Sequence, residues 1–188
     1  MSKRLFDLIC AILLMIVLCP VIVLVAFIIK ITGPGPIIYW SKRVGKNNDL
    51  FLMPKFRTMK IDTPQIATHL LKNPDGYLIP VWGKIFRVTS LDELPQLFSI
   101  IKGDMSFVGP RPALYNQDDL IQLRTTKGIH QLTPGLTGWA QINGRDELPI
   151  PIKVDFDYEY FQKKSFLFDL KIIGLTLKKV LFSEGVKH

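Results

Sequence analysis

Leu8 to Ile29 is 22 consecutive residues without a charge, and no other feature of this 188-residue chain restricts its fold so strongly. At about 1.5 Å per residue, a helix of that length crosses a hydrocarbon core of about 30 Å. The run is longer than the apolar part of a secretory leader and reaches Lys30 without a small-x-small cleavage site, so it is read as a membrane segment. Lys3 and Arg4 precede it, while Lys30, Lys42, Arg43 and Lys46 follow. Positive charge at both ends draws both toward the cytoplasmic side. Pro20, near the middle, removes a backbone donor and bends a helix. Two shapes answer this pattern: a kinked spanning helix, and a re-entrant helix-break-helix that leaves by the face it entered.

Beyond the segment, Gly33-Pro34-Gly35-Pro36 ends the helix. Ile37 to Trp40 and Leu50 to Met53 then read as strands of a β-hairpin around the polar turn Gly45 to Asp49. Lys55 and Arg57 alternate as on a solvated strand face. Thr63-Pro64 offers a helix start and Asn73-Pro74-Asp75-Gly76 a turn. Helices are expected at Trp82 to Arg87, Leu91 to Ile101, Gln117 to Thr125, around Tyr158, and from Phe166 to Phe182. The last is either a core helix or one lying at the membrane surface. Thr133 to Arg145 reads as a glycine-punctuated loop with no phosphate-loop pattern. The fold class is therefore α+β, mainly helical with a short hairpin, and the length leaves room for one catalytic domain besides the membrane segment.

The balance of 24 Lys and Arg against 16 Asp and Glu, net +8, calls for anionic partners. For so apolar a chain these are an anionic membrane surface and phosphorylated substrates before nucleic acid. Cys10 and Cys19 both fall in the apolar run, and His69, His130 and His188 are scattered, so neither a zinc site nor a disulfide framework is expected.

The chemistry concentrates in Ser90-Leu91-Asp92-Glu93-Leu94-Pro95-Gln96-Leu97 and Lys102-Gly103-Asp104-Met105-Ser106-Phe107-Val108-Gly109-Pro110-Arg111-Pro112. Ser90 to Glu93 fits an S-x-x-E capping box, which would make the two acids merely structural. Against this stand Arg87 just upstream and Arg111 in a stiff Pro-Arg-Pro frame. Carboxylates and arginines in company suit phosphoryl chemistry: one carboxylate attacks phosphorus, a second holds Mg²⁺, and cations share the developing charge.

Those two stretches resemble the signature of the bacterial sugar transferases and, more narrowly, of the small monotopic polyprenyl-phosphate phosphoglycosyl transferases. The likeness runs from the apolar N-terminus to the helix around Asp169. It implies a re-entrant segment broken at Cys19-Pro20, where many relatives carry serine before the proline, giving a membrane-embedded unit at 1–32 and a catalytic unit with interfacial helices at 33–188. The implied location is the cytoplasmic face of the bacterial inner membrane. The implied reaction moves a sugar-1-phosphate from a UDP-sugar to polyprenyl phosphate with Mg²⁺, at the start of a surface glycan or glycoprotein glycan such as a lipopolysaccharide or capsule. By the same resemblance Asp92 is the nucleophile of a covalent intermediate that releases UMP, and Glu93, with Asp92, holds the metal. Lys55, Arg87, Arg111, Arg145 and Asp157 contact phosphates or substrate. Nothing in the residues selects the sugar or an oligomeric state.

Two rivals remain at this point. Asp155-Phe156-Asp157 matches the D-x-D pattern of conventional metal-dependent glycosyltransferases, which would release UDP. A non-catalytic membrane scaffold would need the acids only as caps.

Overall fold

The computed structural model describes residues 3–61, 63–64, 74–79, 81–144 and 148–181. The apolar run forms α1 (Lys3–Val17) and α2 (Cys19–Thr32), bent by 62° at the break. Pro20 falls in the first turn of α2, where its missing N–H is tolerated by a new helix and not by a continuing one. No single helix among the described residues is long and apolar enough to cross a membrane.

Strands β1 (Ile38–Val44) and β2 (Leu50–Phe56) pair antiparallel, with Ile38 opposite Phe56 and Val44 opposite Leu50. Asn47 and Asn48 take the left-handed conformation at the tip, with φ of 54° and 65°, which asparagine tolerates better than most residues. Then come α3 (Trp82–Val88), a 3-10 turn over Leu91–Glu93, and α4 (Gln96–Lys102), closed by Gly103 at φ 102°. After β3 (Ser106–Val108) follow α5 (Asp118–Thr126), β4 (Gly135–Thr137), α6 (Trp139–Ile142), α7 (Ile150–Lys163) and α8 (Phe166–Leu181).

The expected glycine-punctuated loop is in fact a strand and a short helix: β4 pairs parallel with β3. Its glycines serve close backbone approach. A Cβ on Gly135 would lie 2.1 Å from the Gly109 nitrogen, and one on Gly138 2.2 Å from the Gly109 oxygen, so only hydrogen fits. The short helix expected after Thr63-Pro64 lies outside the described residues.

The bent pair is packed into the rest of the chain. Ala11 of α1 is buried with Leu97, Ile100, Met105 and Met53, and Val25 and Ile29 of α2 with Phe56 and Phe86. Both ends are tied by polar contacts as well. Arg4 donates to the Ile100 and Ile101 carbonyls at 2.5 and 2.6 Å, capping the end of α4, while Lys3 reaches Val108 O at 3.0 Å and pairs with Asp169. At the other end Arg57 donates to the carbonyls of Pro34 and Gly33. Arg57 is therefore buried, and the solvated strand face expected from its alternation with Lys55 is not formed. Away from these contacts Ile16, Val17, Val23, Leu24, Phe27 and Ile31 are exposed.

Candidate active site

The capping box does not form. Ser90 precedes the 3-10 turn in the left-handed conformation, φ 57°, and its side chain makes no cap hydrogen bond. Released from capping, Asp92 and Glu93 diverge into different surroundings within the one turn.

Glu93 meets two cations. Its Oε1 accepts from Lys55 Nζ at 2.7 Å and from Arg111 Nη2 at 2.9 Å, one ligand brought by β2 and the other by the Pro-Arg-Pro segment after β3. Burial works against the charge on Glu93, but the charges and hydrogen bonds of Arg111 and Lys55 outweigh it and hold the carboxyl well below the usual range. Its two cation partners thus favour the ionised form of Glu93.

Asp92 is 8% exposed. Among the described residues its carboxylate accepts no hydrogen bond and forms no ion pair. Burial pushes its pKa up to about 6; the Lys55 charge opposes this, the anionic neighbour Glu93 adds to it, and Arg87 and Arg111 oppose it more weakly. The result is a carboxylate of raised basicity, held near three cations without being consumed by any of them.

Lys55, Arg87 and Arg111 thus gather around Asp92 and Glu93 as expected. Asp157 does not. It is 2% exposed in α7, where Arg124 of α5 donates to its Oδ2 from Nε at 2.9 Å and from Nη2 at 2.6 Å. In this structure its side chain is engaged in an internal ion pair with Arg124. Asp155 turns to the surface and pairs with Lys127, so the two acids of the D-x-D pattern do not converge on one point. Arg145 lies outside the described residues. Trp139, Gln141 and Asn143 spend side-chain donors on Glu159, Leu136 O and Trp139 O respectively.

Arg124 and Arg43 were missed in the sequence. Arg124 follows Leu120 by four residues and shares its buried face, so a cation on the apolar stripe of α5 was the available signal. Arg43 carried no such mark.

The donor set fits Mg²⁺ only in a shared site. Among the described residues no group of three or more His, Cys, Asp or Glu side chains is placed to hold a metal. Two hard carboxylates suit an ion that takes its remaining ligands from substrate phosphates and water.

A family model described as bacterial sugar transferase matches residues 1–183. The chain is 41% identical over 188 residues to the sugar transferase EpsL of Bacillus subtilis, covering 99% of this chain and 90% of that protein. It is 38% identical to the exopolysaccharide production protein ExoY of Sinorhizobium fredii, over 98% of this chain and 87% of that one. It is also 38% identical to the UDP-glucose:undecaprenyl-phosphate glucose-1-phosphate transferase of Escherichia coli, over 94% of this chain but 39% of that longer protein.

Proposed function

The chain belongs to the bacterial sugar transferase family, and from that footing we propose that it transfers a sugar-1-phosphate from a UDP-sugar to polyprenyl phosphate, releasing UMP. One observation carries the reading: adjacent carboxylates are driven in opposite directions, Glu93 held as an anion by Lys55 and Arg111, Asp92 raised to about 6 and, among the described residues, unpaired beside cations.

In the first step an Asp92 carboxylate oxygen attacks the phosphorus that bears the sugar. The bond from that phosphorus to the bridging oxygen breaks, and UMP leaves with the electron pair. In the second step a phosphate oxygen of the lipid attacks the same phosphorus and frees the Asp92 carboxylate. Arg87, Lys55 and Arg111 hold phosphate oxygens and share their charge. Arg145 is assigned by family resemblance to the same task. Mg²⁺, if bound with substrate, would be held by Glu93 with Asp92 and would supply further charge neutralisation. The product begins a surface glycan.

We assign residues 1–32 to a re-entrant membrane unit and 33–188 to a catalytic unit on the cytoplasmic face of the inner membrane. The support is that α1 at its start and α2 at its end bind the same globular body, through Arg4 on α4 and Arg57 on Gly33 and Pro34. A straight crossing would carry those ends about 45 Å apart. Exposed Phe166, Leu167, Leu170, Leu177 and Val180 along α8, flanked by exposed Lys171 and Lys178, fit a helix resting at the headgroups.

The test offers purified protein a panel of UDP-sugars with undecaprenyl phosphate. UMP release with ping-pong kinetics is expected, and UDP as the product would overturn the proposal. Tags at the two chain ends are expected on the same side of the membrane; tags on opposite sides would refute the re-entrant assignment.

A further inference from the structure

Pro110 and Pro112 flank Arg111 and carry no N–H, so this segment can be held by its main chain chiefly through carbonyl oxygens. Four consecutive ones are held. Pro110 O accepts from Gly135 N at 2.9 Å, Arg111 O from Arg124 Nη1 at 2.8 Å, Pro112 O from Arg43 Nη1 at 3.1 Å, and Ala113 O from Val44 N at 2.9 Å. The donors come from β4, α5 and β1.

Two of the four donors are side chains, and the one beneath Arg111 itself is the more deeply built. Arg124 has a side chain 10% exposed and gives two of its donors to Asp157, which balances its charge inside the fold. The third goes to Arg111 O. All three guanidinium nitrogens of Arg124 are thus engaged, by Asp157 and by the Arg111 carbonyl, beside a cavity lined in part by Arg111, Pro112 and His130. Arg124 therefore faces the main chain of Arg111 and not the reacting groups.

We propose that Arg124, with Asp157 as its counter-ion and Arg43 beside it, is a positioning residue: it clamps the Arg111 main chain so that the guanidinium meets Glu93 and the substrate phosphate. The inference rests on the reaction proposed above. It also gives Asp157 a role that does not require contact with substrate. A guanidinium suits the task because its rigid fork serves a carboxylate and a carbonyl at once, whereas one ammonium keeps the charge and cannot span both.

The experiment is a double-mutant cycle in the purified full chain: wild type, Arg124→Lys, Arg111→Lys and the double variant. Thermal melts are read with UMP release from UDP-glucose, UDP-galactose or UDP-N-acetylgalactosamine, whichever the wild type turns over. Arg124→Lys is expected to lower kcat/KM by about 10- to 100-fold, the range for loss of a supporting contact or a shift of about 1 Å, with a melting temperature close to wild type. Once Arg111 is lysine, the Arg124 change is expected to add less than about twofold. Independent, multiplying losses would overturn the proposal, as would an Arg124→Lys enzyme with wild-type kinetics. Should Arg124→Lys fail to fold, Arg43→Lys, which releases the neighbouring carbonyl, enters the same cycle with the same two criteria. If the wild type releases no UMP, the reaction reading falls by itself. The cycle is then read in equilibrium binding of UDP, where non-additive losses still support the clamp and additive ones refute it.

Discussion

Asp92 and Asp157 are hidden to nearly the same degree, 8% and 2% exposed, and burial raises the pKa of both. What surrounds them differs. Asp157 is gripped by Arg124 through two hydrogen bonds, which oppose the upward shift and use one of its oxygens. Asp92 has cations near it and none bonded to it among the described residues. The pairing turns the first carboxylate into structure, while its absence leaves the second available to an incoming atom. Burial alone therefore does not mark a functional acid; burial without a committed partner does.

Substitution separates the two acids most sharply. Asp92→Asn is expected to abolish phosphosugar capture, a loss of at least about 10⁴-fold in line with removal of a catalytic nucleophile. It should also stabilise the fold. A pKa raised from 3.8 to about 6 means the folded state disfavours the ionised form. The group's contribution is fullest below pH 3.8 and declines as pH rises through about 6, so at neutral pH the amide is relieved of a cost of about 1–3 kcal/mol. Denatured protein scanned for label and a melt at pH 7 check both halves. A less stable Asp92→Asn would show that Asp92 is held by its neighbours after all, and the comparison would collapse.

Burial raises the Asp157 pKa as well, yet Asp157→Asn should act in the opposite sense, because its two hydrogen bonds from Arg124 are in place and the amide leaves that guanidinium buried without its counter-ion, at a cost of about 3–5 kcal/mol. Chemical denaturation is the measurement, and an unchanged midpoint would deny the pair its structural role. Glu93→Gln falls between them. It strands Lys55 and Arg111, whose side chains are 17% and 30% exposed, so the expected loss of stability is smaller, about 1–3 kcal/mol. Slow capture that improves with added Mg²⁺ is expected to survive in this variant. If Asp92 attacks as the anion, single-turnover capture should rise about tenfold per pH unit up to about 6 and level off above it. A profile inflecting near 4 would mean that burial does not govern the reacting form.

Much of this was legible in the chain. The hairpin followed from its turn residues, the break in the apolar run from Pro20, and the end of α4 from Gly103, because each is a local cause with a local effect. The cations near Asp92 and Glu93 were legible in two ways, Arg87 and Arg111 through the company they keep with these acids in the sequence and Lys55 only through the family resemblance. The pairing of β3 with β4 was not, since strands of three residues are too short to show a period and depend on glycines 26 to 29 positions distant making room. The capping box at Ser90 misled for a related reason: the motif describes an isolated helix start, and here the preceding α3 and the contacts of Leu91 and Leu94 with α2 and β2 impose a left-handed residue instead. The pairing of Asp157 with Arg124 was not legible either, because the two stand 33 positions apart.

The polar ties of α1 have a bearing on how the molecule comes into being. The partners of Lys3, Arg4 and Asp7 stand 96 to 166 positions further along the chain: Ile100, Ile101, Phe107, Val108 and Asp169. Such distant contacts close late, after most of the chain has been synthesised. Until then two cations and an acid of α1 lack these partners, and the arrival of α8 completes the Lys3–Asp169 pair. The turn bearing Asp92 and Glu93 and the α4 helix after it, which pack against both arms of the bent pair through Leu91, Leu94, Leu97 and Ile100, would reach their final shape only once these contacts close.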